Sequence, residues 1–135
     1  MKSDKPDVTR WVAAAFSVVF VALIFTVFAR ADEAQSARIA AISYAQVRMH
    51  FPEPLVVEPV VFAGDYALAD WNSGGKTGEV LLLLGPTGKW HVVALENSSL
   101  SDAKFLEVRY HLPDAVAAAL VEEIIAAEKH EGIRP

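Results

Sequence analysis

Asp70, Glu79 and His91 are the residues whose types and spacing could do chemistry. Ser73-Gly74-Gly75-Lys76 reads as a tight turn between two strands. If Asn72 pairs with Thr77 across that turn, Asp70 stands directly opposite Glu79. Like charges in that position destabilise a strand pair and push one carboxyl's pKa upward unless a cation intervenes. Lys76 or an arginine would be an ordinary neutraliser, and a metal ion a functional one. Imidazole and carboxylate suit copper(II), so His91 with Asp70 and Glu79 is the best metal-ligand set this chain assembles. Three ligands on a flat sheet leave an open site of weak affinity.

The remaining candidates are sparser. Met49-His50 is the one adjacent pair of soft and imidazole donors, and His111 and His130 complete the imidazole supply. None recurs at a ligand spacing such as H-x-H or M-x-x-M. Cys is absent, which excludes disulfides, thiolate metal sites, haem attachment and thiol nucleophiles together. Two carboxylates near a histidine sketch acid–base catalysis, but no positioned nucleophile, oxyanion donor or phosphate loop accompanies them. The glycines at 74–75 and 85–88 read as hairpin turns. Asn97-Ser98-Ser99 matches a glycosylation acceptor, irrelevant in a bacterial host. Net charge is −5, with 12 basic and 17 acidic residues, which argues against a nucleic-acid partner. A non-enzymatic protein is the expectation.

These residues must be positioned by one small domain, since 135 residues allow little more. Glu33 to Phe51 has no Gly or Pro and reads as an amphipathic helix ended by Pro52 and Pro54. Leu55–Ala63 is a Val-rich strand, and Pro59 inside it places it at a sheet edge. Gly64-Asp65 turns it into Tyr66–Asn72. Gly78–Leu84 is the third strand, Pro86-Thr87-Gly88 a turn with a bulge, and Lys89–Glu96 the fourth. Alternation puts Ala67, Ala69, Trp71, Val80, Leu82, Leu84, Trp90, Val92 and Ala94 on one face, anchored by Trp71 and Trp90 against the helices. Tyr66, Leu68, Asp70, Glu79, Leu81, Leu83, His91, Val93 and Leu95 share the other, too greasy to be fully solvated. Ser99 with Asp102 reads as the cap of a short helix through Val108, and Pro113 opens a last helix with Val116, Leu120 and Ile124 at steps of four. The expected fold is α+β: a helix, a four-stranded antiparallel meander and C-terminal helices packed on one sheet face.

Ahead of this domain, Trp11 to Ala29 runs nineteen residues without a charge. As a helix it would reach about 28 Å, close to the hydrocarbon thickness of a bilayer. Lys2, Lys5 and Arg10 precede it, so the N-terminus is expected in the cytoplasm and the rest across the inner membrane, in a bacterial periplasm. Residues 1–31 are thus a retained anchor or a cleaved signal peptide, Ala29-Arg30-Ala31 fitting a cleavage pattern. Residues 32–135 form the exported domain, which keeps eight basic and fifteen acidic residues.

Gly64-Asp65-Tyr66-Ala67-Leu68-Ala69-Asp70-Trp71, a glycine-containing turn, a run of leucines and Gly88-Lys89-Trp90-His91-Val92-Val93 together resemble a family of small exported bacterial proteins, the copper uptake system-associated proteins. The resemblance extends over roughly residues 33–130. It implies a leader, a helix, a sheet meander and a helical tail, and a place beside a copper transport membrane protein. Two positions depart from the family: Glu79 stands where an Arg is common, and Ala94-Leu95-Glu96 where a Cys is common. Thiolate chemistry therefore does not carry over. The expected function is that of a periplasmic accessory protein to a copper uptake or handling system, acting by protein contact or weak metal binding. The alternative is a small-molecule-binding domain with a pocket between sheet and helices.

Overall fold

The computed structural model describes residues 32–52 and 54–132. The chain divides into two compact units, Met1–Gln35 and Ser36–Pro135. The membrane run Trp11–Ala29 lies outside the described residues. Among the described residues no helix is long and apolar enough to cross a membrane.

The architecture is α+β. A first helix, α1 (32–48), precedes four strands, β1 (Leu55–Ala63), β2 (Tyr66–Ser73), β3 (Lys76–Leu84) and β4 (Trp90–Glu96). Two helices follow, α2 (Ala103–Tyr110) and α3 (Asp114–His130). The strands pair in chain order as an antiparallel meander, so β1 and β4 are its edges. Pro59, which has no N–H to donate to a ladder, accordingly lies at an edge. The β2–β3 connection is a two-residue turn, with Gly74 and Gly75 both at positive φ (58° and 89°), as such a hairpin demands. Asn72 reinforces it, its Oδ1 accepting from Gly75 N at 3.2 Å.

Each edge strand carries a bulge, and each bulge reverses the alternation of faces. In β1 the register slips between Val57 and Val60. In β4 Leu82 pairs with Val92 but Leu81 pairs with Ala94, leaving Val93 as the extra residue. This corrects the sequence reading, which placed the slip at the turn. Ala94 therefore leaves the Trp71 face for the opposite one, and Leu95 packs with the Trp71 cluster instead.

Both sheet faces are covered by helices. Ile39 and Val47 of α1 join Ala67, Ala69, Trp71, Val80 and Leu82 in one core. Leu106, Leu112, Ala117, Leu120 and Ile124 pack with Val61, Leu68, Leu81 and Ala94 in the other. The C-terminal helices thus cover the mixed face that the sequence left partly open. Full burial of each aliphatic side chain stabilises by about 1.5–3 kcal/mol, so neither layer is dispensable. Trp71 is the largest buried side chain, 1% exposed. Its indole N–H reaches across β3 to donate to the Glu96 carbonyl at 3.2 Å, and its ring lies 4.5 Å from that of Phe51. Trp90, expected as a second anchor, is only half-buried.

The helix ends also differ from expectation. Asp102, not Ser99, caps α2, its Oδ1 accepting from Phe105 N at 3.0 Å. His111 closes α2 in the left-handed conformation, φ 59°. Pro113 opens α3 as its N-cap. In α3 the buried residues are Ala117, Leu120, Ile124 and, continuing the step of four, Glu128.

Candidate functional site

The glycine turn sets the register that matters. Asn72 pairs with Thr77, and Asp70 stands opposite Glu79, as the spacing predicts. Lys76 does not neutralise the pair. It belongs to the other face, with its Nζ 5.9 Å from the centroid of the Phe51 ring. The third member of the group comes from α3. Asp70, Glu79 and Glu128 each offer a carboxyl oxygen, and these atoms lie within 4.8 Å of one another.

Glu79 is 2% exposed, and the β4–α2 connection is wrapped around it. Its Oε2 accepts from Leu100 N. Its Oε1 accepts from Ser101 Oγ at 2.7 Å and from Ser99 Oγ at 3.3 Å. Three donors thus fix this carboxyl group in place, because buried polar oxygens need compensation for lost water. Glu128 is 3% exposed, carried into the cleft on the same stripe as Leu120 and Ile124. Asp70 is buried at its carboxyl end, and its Oδ1 has no hydrogen-bond partner among the described residues. Burial, then the facing Glu79 charge, then Glu128 push its pKa from the usual carboxylate range up to about 9. Without a countercharge Asp70 therefore tends to hold its proton, and a cation beside it opposes the shift.

These groups line a cleft of about 610 Å³ between the β2–β3 end of the sheet and α3. Glu58 adds a fourth carboxylate to its wall, with Asn72, Thr77 and Ser99 as neutral polar groups. Of the described residues lining it, none is Lys, Arg or His. A concave, partly apolar cavity of this size is typical of small-ligand sites. Its carboxyl-rich lining favours a cation over an anion.

The structure does not bring His91 to this group. His91 pairs with Leu83, four register positions along β3 from Glu79, and its exposed ring lies over Gly85. At about 3.4 Å per residue that is roughly 14 Å away along the strand. His50, His111 and His130 are also exposed, and Met49 is 69% exposed. Glu128 takes the place that the sequence reading gave to His91. The signal for it was present in the chain: a carboxylate on the apolar step of four after Leu120 and Ile124. The role of Ser99 was hidden by its resemblance to a helix start. The resulting donors are all oxygen, which suits hard cations and copper(II) and not copper(I), whose ligands are thiolate and thioether.

Comparison with protein-family models, curated proteins and solved structures returns no match.

Proposed function

We propose that this domain is a non-enzymatic binding module that takes a cationic ligand in the cleft between β2–β3 and α3. The observation that carries the reading is the convergence of three carboxyl groups within 4.8 Å in a cavity whose described lining holds no basic residue. A binding role is favoured over a catalytic one because the nearby hydroxyls of Ser99 and Ser101 are committed to Glu79 as donors. They hold a carboxyl group that is 2% exposed and also accepts from Leu100 N, which makes them its supports.

The cellular setting is proposed from the sequence. The uncharged run Trp11–Ala29 supports export across an inner membrane, and the Gly64–Trp71 and Gly88–Val93 strings support a role beside copper-handling transport. With oxygen donors alone, that role is contact with a transport protein, not carriage of copper(I).

Thermal unfolding of the purified full chain, in detergent, tests the binding reading. Copper(II), calcium or an alkylammonium salt should raise the midpoint of the wild type in a saturable way. The same ligand should leave Asp70→Asn and Glu128→Gln unmoved. A wild type indifferent to every cation at millimolar concentration overturns it.

A further inference from the structure

Resting on the cation reading above, we infer that the cleft is built for a primary alkylammonium head, supplied by a free aliphatic amine or by a lysine side chain of a partner, and not for a bare metal ion. Size is the first argument. A metal ion fills a small fraction of about 610 Å³, whereas an ammonium head with a stem of several carbons occupies a cavity of that order. The lining is the second. Pro54 and Val56 form part of the wall, and Val56 is 50% exposed, apolar surface left for an aliphatic stem to cover.

Donor geometry is the third argument. An ammonium carries three N–H donors, and tetrahedral N–H directions at about 2.8 Å place their acceptors roughly 4.6 Å apart. The three carboxyl oxygens, from β2, β3 and α3, lie no more than 4.8 Å apart, so one ammonium nitrogen is within reach of all three. A guanidinium would instead need a planar pair of acceptors. Glu79 supplies the fourth argument. Of its roughly four lone-pair positions, Leu100 N, Ser99 Oγ and Ser101 Oγ engage three. Its oxygens are largely committed, which leaves too little for the bidentate ligation by which calcium reaches six to eight oxygens. Asp70 Oδ1, buried and accepting no hydrogen bond among the described residues, is the acceptor a third N–H would satisfy.

The test titrates the full chain, by calorimetry, with n-butylammonium, a short lysine-containing peptide, tetramethylammonium, calcium and copper(II). n-Butylammonium or the peptide should bind one to one, and whichever is tighter identifies the source. Asp70→Asn and Glu128→Gln should each weaken it at least about tenfold, because an amide oxygen still accepts the N–H but brings no charge to the bond. Val56→Ser, at an exposed position that leaves the core intact, should weaken n-butylammonium several-fold and leave calcium unchanged. Tetramethylammonium has the charge without the donors, and equal binding by it overturns the inference. So does binding of metals without amines, although the cation reading then survives. If no cation binds, both readings fail.

Discussion

Asp70 holds a proton that the unfolded chain would release. Its folded pKa is raised from 3.8 to about 9 by burial and by Glu79 and Glu128, so between those values the native state binds more protons than the unfolded one. Stability then falls as pH rises, because deprotonation leaves a buried charge beside two carboxyls. Asp70→Asn keeps the shape and removes the titration. Its thermal midpoint should gain on the wild type between about pH 5 and about pH 8, and parallel pH profiles for the two proteins would show that Asp70 titrates as an ordinary surface carboxyl. Half of this site was legible from spacing, because a Gly-Gly turn leaves few registers and Asn72 opposite Thr77 forces Asp70 against Glu79. Glu128 was not, since no local rule says which strand α3 will cross. The metal reading drew in His91 because imidazole is a good ligand, yet register puts it at the far end of β3.

Among the elements, β3 is the strand whose sequence is most constrained by a neighbour. Gly78 pairs with Trp71, and a methyl placed there would fall 1.9 Å from the Glu96 carbonyl oxygen and 2.6 Å from the indole ring. Gly78 does not adopt a positive φ and the space is full, so the need for glycine is steric. Gly78→Ala should cost about 3 kcal/mol through displacement of ring and strand. Trp71→Ala, leaving a cavity under α1, should cost about 3–5 kcal/mol. Denaturant midpoints measure both, and a Gly78→Ala variant as stable as wild type would mean that the indole does not lie across β3. Alternation and turn residues made the four strands legible nearly to their ends, and Pro59 made β1 an edge. The bulge at Val93 was not legible, because Trp90-His91-Val92-Val93-Ala94-Leu95 alternates acceptably in either register. Only packing of Ala94 beneath the C-terminal helices, and of Leu95 beside Trp71, decides between them.

At the scale of the whole domain, a sheet made of successive hairpins is covered on one face by a helix that precedes it and on the other by helices that follow it. Strand pairings are therefore local, while α3 packs on β1 and β2, far behind it in the chain. Sequence predicted helices against one face, since only one face looked wholly apolar. Two layers result because Leu68, Leu81 and Ala94 form an apolar patch that the polar residues around them disguise. The cleft inherits this order of assembly. Its third carboxyl arrives only when the last turns of α3 close over β2, a late event if local hairpins form first. A ligand held by all three carboxyls then has nothing to grip in the transition state for folding, and its stabilisation appears as slower escape from the native state. In stopped-flow denaturant jumps a saturating ligand should lower the unfolding rate by the full equilibrium stabilisation and leave the refolding rate unchanged. Acceleration of refolding would place the closure of α3 early. The cleft at the end of the sheet is thus a clasp that slows opening, and occupancy sets the lifetime of the folded domain.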